Sequence, residues 1–268
     1  MADRSSTDQT TGDRRPENRE PSKFPPFAVT VDIVILTVIE RDLKVLLIER
    51  GTGPYRGSWA LPGGFKRSDE TLDEAAKREL REETRVEVST LQQFGAYGDP
   101  GRDPRTDVVT VAYFAVVPRP EAVRGGTDAK TAELWSLRKV MNDPSMLAFD
   151  HAEILRDALA RAEVDLGVTE LATAFVGPEF TLSELQSVYE AVWNEELDAA
   201  NFRRSLLPKR HQALPDSEPT LALYLERTGR LSRSNRRGGR PPELFRACDA
   251  WQDGSPVRRS RRRFERDR

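Results

Sequence analysis

One cysteine, Cys248, in 268 residues leaves no intrachain disulfide to form and no thiolate set for a zinc site. Histidine is nearly as scarce. His151 and His211 stand far apart, so a soft-metal site is not expected, and each reads as an ordinary surface or half-buried residue. No run reaches the roughly 18 apolar residues that a membrane helix needs. The polar opening MADRSSTDQTTGDRRPENREPSK lacks the apolar segment of a secretory leader. These absences predict a soluble, cytoplasmic protein with no membrane partner. Hydrophobic residues at 37% still suffice for one large or two small packed domains.

What the chain has in quantity is charge, at 32% of residues, and a net of −2 conceals how that charge is divided. Residues 201–268 hold 18 Lys and Arg against 8 Asp and Glu, a local +10. The first 200 hold 24 against 36, a local −12. Such a dipolar chain predicts that its last quarter meets a polyanion while the rest does something else.

The densest chemistry lies in residues 64–86, GFKRSDETLDEAAKRELREETRV. A glycine turn leads into a helix with an apolar stripe of Leu72, Ala76 and Leu80. Glu79 shares a face with Glu82 and Glu83, three and four residues on. Carboxylates crowded in this way repel one another unless a cation stands among them. A hard divalent ion such as Mg²⁺ takes oxygen ligands of this kind and bridges them to phosphates. Glu70 falls at the helix start, where the positive end of the dipole favours a carboxylate.

The spacing G, five residues, E, seven residues, R-E-L-x-E-E, then a hydrophobe two further resembles the Nudix box. Gly64, Glu70, Arg78, Glu79, Leu80, Glu82, Glu83 and Val86 are in register, and the preceding WALPG resembles the usual approach. The match departs at Arg85, where the box has glycine. A left-handed residue past a helix costs a non-glycine on the order of 1 kcal/mol, so either that cost is carried or the exit turn differs. The resemblance implies metal on Glu79, Glu82 and Glu83, with a nucleotide against Gly63, Gly64, Phe65 and Glu70. In a hydrolase, Glu82, Glu83 and Arg78 would be catalytic, the arginine bracing the acids. The loop GDPGRDPR (98–105) more weakly resembles a segment of members that handle ADP-ribose-like substrates.

Along the chain, residues 1–24 read as a disordered polar tail. VTVDIVILTVI and LKVLLIER flank a short polar turn, a hairpin whose first strand is apolar enough to be covered on both faces. Further strands are expected at 86–94, 108–117 and around 133–137, with a loop at 95–107. A helix over 151–163 would turn Ile154, Leu155, Ala158, Leu159 and Ala162 inward. These elements agree with the α+β arrangement that the resemblance implies, an α/β/α Nudix sandwich over 25–164; a C-terminal winged helix-turn-helix is expected over 165–252 and a basic disordered tail over 253–268.

In the second unit, 169–175 is a short helical candidate and Thr181 with Glu184 forms a capping-box pattern. In the helix DAANFRRSLL (198–207), Phe202 and Leu206 face inward, leaving Asn201 and Arg204 outward and Arg203 at the border. Asparagine suits adenine and arginine suits guanine or phosphate. The expected wing, with Arg230, Arg233, Arg236, Arg237 and Arg240 among glycines, suits backbone or minor-groove contact. FTLSELQSVYEAVWNEELDAANFRRSLL followed by GGRPPELFR resembles the C-terminal half of the Nudix-related transcriptional regulators of NAD metabolism, the NrtR family. That resemblance implies a homodimeric repressor on a pseudo-palindromic double-stranded operator of NAD biosynthesis or salvage genes, released by ADP-ribose or a related nucleotide. The alternative is a Mg²⁺-dependent hydrolase of ADP-ribose-like compounds. Residues 208–220 are longer and more proline-rich than that family pattern.

Overall fold

Strand β1 (Ala28–Ile39) organises the first half of the molecule. In this computed structural model the described residues are 26–88, 90–118, 129–207, 225–232 and 241–247. Both tails, the 208–220 insertion and Arg233, Arg236, Arg237 and Arg240 lie outside them. Side chains alternate along a strand, so Val31, Ile33 and Ile35 enter one apolar cluster while Val34 and Leu36 enter another. The first cluster is closed by Ala75, Ala76 and Leu80 of helix α1 (Leu72–Thr84), the second by helix α3 (His151–Val168).

Five more strands build the first half of the sheet around this axis: β2 (Asp42–Arg50), β3 (Trp59–Ala60), β4 (Gly63–Phe65), β5 (Gln92–Tyr97) and β6 (Val108–Val116). With β7 (Ala129–Ser136) they make a seven-stranded sheet in the order β3-β2-β1-β6-β5, β4 pairing with β1 and β7 with β2. β1 runs parallel to β6 and antiparallel to β2 and β4. The β1–β2 turn is Glu40–Arg41, both left-handed at φ 54° and 65°. That geometry matches the twist of the flanking strands but favours asparagine and glycine; this chain uses neither.

Thr71 caps α1, its hydroxyl accepting from the Glu74 N–H while the Glu74 carboxylate accepts from the Thr71 N–H. Glu70 is therefore one residue outside the cap, and its carboxylate is taken up by Arg67 and Arg78 rather than by the helix end. The exit turn keeps the left-handed geometry, with Arg85 at φ 60°, ψ 15° and its N–H bonded to the Arg81 carbonyl at 3.0 Å. Arg85 is exposed and carries the Cβ penalty in full. Arg85→Gly is expected to raise stability by about 1 kcal/mol, or roughly 2–4 °C in a thermal melt. An unchanged or lower melting point would show that the turn is unstrained.

Three expectations need correction. Residues 86–88, 90 and 91 are not strand; β5 begins at Gln92 and includes Gly95–Tyr97, placed in a loop from sequence, because pairing with β6 overrides the weak strand preference of glycine. A register shift at Gln93/Gly95 accommodates it. Helix α2 (Leu137–Asn142) follows β7 directly and was not anticipated. Helix α3 runs on to Val168 rather than ending at 163, because Leu166 is buried.

The second unit comprises α4 (Leu171–Ala174), α5 (Leu182–Trp193), α6 (Ala199–Leu206), β8 (Leu225–Leu231) and β9 (Glu243–Ala247). Thr181 and Glu184 form the expected capping box on α5. Tyr189, Trp193, Phe202 and Leu206 share one apolar cluster with Val34, Leu36 and Val45 of the sheet. Trp193 also donates its indole N–H to the Glu163 carbonyl at 3.0 Å. Phe180, just before α5, bonds twice to Phe245 of β9 and so ties the hairpin to the helices.

Candidate functional site

The acidic face of α1 is filled by an arginine of its own helix. Arg78, nearly buried, donates to Glu70 through Nε (2.8 Å) and Nη2 (2.7 Å), to Glu79 (2.6 Å), to Glu82 (3.3 Å) and to the Phe65 carbonyl (3.1 Å). The Arg78 bonds, with the Arg67 N–H, hold the Glu70 carboxyl at about 2. Burial pushes Glu79 above its ordinary range, against the pull of Arg78. The cation that repulsion among the glutamates calls for is thus supplied by Arg78.

Glu83 reaches past this cluster and accepts from the Gly63 N–H at 2.8 Å. Gly63 and Gly64 allow β4 to press this close. A Cβ on Gly64 would lie 2.4 Å from Glu79 Oε1, and one on Gly63 2.2 Å from the Val31 carbonyl. The donor chemistry suits a hard divalent ion, since every candidate ligand is a carboxylate oxygen beside bare backbone. As they stand, though, Glu79 and Glu82 face Arg78, and among the described residues no three acidic, histidine or cysteine side chains gather to hold a metal.

On the other side of β4 is a cleft lined by Gly63, Gly64 and Phe65, three of the four expected nucleotide contacts; Glu70, spent on Arg78, is not part of it. Its remaining walls join Arg102, Asp103 and Arg105 of the GDPGRDPR loop to Arg50 and Phe149, which the sequence did not single out. The Phe149 ring, at φ 55°, lies 4.7 Å from the Arg50 guanidinium and 5.9 Å from that of Arg105, with Tyr55 edge-on at 4.8 Å. Burial and the neighbouring Arg105 both push the Arg50 guanidinium below its usual pKa. Arg105 is forked onto Asp103 at 3.0 and 2.6 Å, which leaves Arg50 as the cation beside the ring best placed for an anion, and the exposed Tyr55 and Phe65 offer ring surface for a flat base.

The same walls contain a largely buried polar network. Arg102 forms a fork with Asp150 (2.7 and 2.6 Å) and meets Asp32 at 3.4 Å. The Leu61 N–H donates to His151 Nδ1 at 2.9 Å, which fixes the ring proton on Nε2, 3.4 Å from Asp32. Burial alone would lift the Asp32 carboxyl, but His151 and Arg102 outweigh it and hold it below the ordinary range. His151 is therefore buried, not the surface or half-buried residue its isolation in sequence suggested. The available signal was the GDPGRDPR loop, which supplies Arg102 and Arg105. A wider groove at Tyr97, Asp157 and Arg161 has its polar groups spent within the fold, Tyr97 on Asp157 and Arg161 on Asp165.

The second candidate surface is α6. Asp198 caps it, accepting from the Asn201 N–H at 2.8 Å, and Phe202 and Leu206 turn inward as expected. Asn201, Arg203 and Arg204 are all exposed, with Arg204 resting on the Asn201 side-chain oxygen. In the β8–β9 hairpin, Glu179 holds Arg230 at 2.8 Å and Arg246 at 3.4 Å. Sequence reasoning passed over both Glu179 and Arg246.

Two family models match the chain: a NUDIX domain over residues 27–158 and the NrtR DNA-binding winged helix domain over residues 172–211. The chain is 35% identical over 188 residues to the ADPR responsive transcriptional repressor NtrR of Acinetobacter baylyi, covering 69% of this chain and 74% of that protein. It is 42% identical over 130 residues to an ADP-ribose pyrophosphatase of Methanocaldococcus jannaschii, covering 48% and 72% respectively. Among solved structures, NrtR of Shewanella oneidensis complexed with a 27mer DNA superposes with a TM-score of 0.67 at 31% identity, over 84% of this chain and 96% of that one.

Proposed function

We propose that this chain, which belongs to the NrtR family of NUDIX domains joined to a DNA-binding winged helix, is a transcriptional repressor that ADP-ribose releases from DNA. One observation carries the reading: Phe202 and Leu206, which seat the exposed Asn201–Arg203–Arg204 face of α6, enter the same apolar cluster as Leu61 of the cleft wall. Residues 25–164 serve as the sensor and 165–252 as the DNA reader. Arg50 and Arg105 take the diphosphate, Arg105 releasing Asp103 to do so, and the exposed Phe65 and Tyr55 rings flank the base. A homodimer would set two α6 helices into successive major grooves of a pseudo-palindromic site, upstream of NAD biosynthesis or salvage genes. Among the described residues no helix is long and apolar enough to cross a membrane.

The NUDIX domain belongs to a family that is typically Mg²⁺-dependent. Here Glu79, Glu82 and Glu83 would hold the ion, the first two releasing Arg78 to do so. Bound Mg²⁺ supplies charge neutralisation at a diphosphate. Those same glutamates, with the identity to an ADP-ribose pyrophosphatase, favour slow hydrolysis as a second reading. The test is a gel-shift titration with ADP-ribose on upstream DNA of an NAD-synthesis operon, run beside AMP release in Mg²⁺. ADP-ribose is expected to dissociate the complex. Retention of DNA together with rapid AMP release would replace the repressor by an enzyme.

A further inference from the structure

A buried carboxylate links the sensor sheet to the turn that carries α6. Glu190 lies on α5, 9% exposed. Its Oε1 accepts from the Leu197 N–H at 3.1 Å and from Gln186 Nε2 at 2.9 Å. Leu197 immediately precedes Asp198, the N-cap of α6, and its carbonyl accepts from the same Gln186 nitrogen at 2.8 Å. Glu190 thereby fixes the turn from which the DNA-reading helix starts. Its other oxygen, Oε2, meets Arg41 Nη2 at 2.5 Å, and Arg41 belongs to the β1–β2 turn of the sensor sheet, 149 positions earlier. That turn holds Arg41 left-handed at φ 65°, where glycine would be unstrained. Arginine at this point costs backbone energy and supplies the partner that a buried carboxylate needs.

The far end of the same hairpin is the nucleotide cleft. Asp32 on β1, with Ile48 and Arg50 on β2, lines the cleft, while Glu40 and Arg41 close the opposite end. From Asp32 to the turn is roughly 25–30 Å of paired strand at about 3.4 Å per residue. We infer that Glu190 is the positioning residue of the α6 helix and that Arg41 holds it in place, so that the β1–β2 hairpin carries the state of the cleft to the DNA-reading surface. The inference rests on the reading above, in which the cleft takes the nucleotide. The coupling must be reciprocal: whatever ADP-ribose does to DNA affinity, DNA does to ADP-ribose affinity.

The experiment compares the wild-type chain with Arg41→Gly, Glu190→Gln and Arg41→Lys. The DNA is the duplex that the wild-type chain selects from a random pool. Arg41→Gly and Glu190→Gln are expected to bind that duplex about tenfold more weakly and to show a compressed response to saturating ADP-ribose. Calorimetric ADP-ribose affinity in the absence of DNA should stay at the wild-type value in Arg41→Gly, and Arg41→Lys should restore most of the response. Amide exchange at Leu197 should accelerate in the two uncoupled variants. A purely structural ion pair would lower the melting temperature and leave the ADP-ribose response at full size; that result overturns the inference. If the wild-type chain itself ignores ADP-ribose or selects no duplex, the repressor reading fails. Leu197 exchange then still decides the positioning role, with unchanged exchange in Arg41→Gly counting against it.

Discussion

Arg102→Ala is expected to lower the unfolding free energy by about 3–5 kcal/mol, the loss that follows when buried charges are stranded. Arg102 is 5% exposed in its side chain, and its carboxylate partners Asp32 and Asp150 are 9% and 17% exposed. Removing the guanidinium leaves the buried Asp32 carboxylate without its formal cation, facing the His151 Nε2–H at 3.4 Å. At roughly 2–4 °C per kcal/mol for a chain of this size, the melting point should fall by about 10 °C. The effect has a pH signature. Asp32 is held below the ordinary carboxylate range, so its contribution is complete above the unfolded value near about 4 and fades as pH falls through the lower folded value. Melting curves of wild type and variant should therefore converge in acid. A loss under about 1 kcal/mol at neutral pH would mean that water reaches these carboxylates and that the network is not the frame of the cleft.

Replacing Arg203 and Arg204 together by alanine should weaken binding to the selected duplex by about a hundredfold, each arginine being worth about 1–3 kcal/mol in a groove or phosphate contact. Both side chains are exposed and the inner face of α6 is made by Phe202 and Leu206, so stability should move by less than about 0.5 kcal/mol. ADP-ribose affinity should not change. If both arginines contact phosphate, the dependence of log affinity on log salt should flatten by about two. Gel shifts at several salt concentrations read both quantities. Binding kept within about threefold would remove α6 from the DNA interface.

Local chemistry was legible in the sequence wherever it is local in the fold. The Thr181–Glu184 cap, the Phe202/Leu206 face of α6 and the two-faced burial of β1 all follow from neighbours within one or two turns or along one strand. The cleft was not legible in this way. Its frame joins Asp32 to Arg102 across 70 positions and Leu61 to His151 across 90, and no periodicity encodes such distances. His151 looked idle because its partners are a backbone N–H and an aspartate brought in by the sheet. Phe149 could not be placed either, since its ring is set by a left-handed backbone that phenylalanine rarely adopts. The box glutamates were legible as a cluster, but not their present engagement with Arg78 and Gly63, which depends on how closely β4 approaches.

The parallel pairing of β1 with β6 bears on how the protein is made. Ala28 finds its partner Val108 only 80 positions later, and Leu36 finds Val116 at the same remove. At roughly 5–20 residues per second of synthesis, that edge of β1 waits about 4–16 seconds for its neighbour. Meanwhile β2 and β4 cover only the other edge, and the strand is apolar on both faces. Long-range parallel pairing is also slow to form once both strands exist. The period in which this protein is most prone to aggregate is thus its own translation, and cells short of nascent-chain chaperones should accumulate it poorly even when the finished molecule is stable.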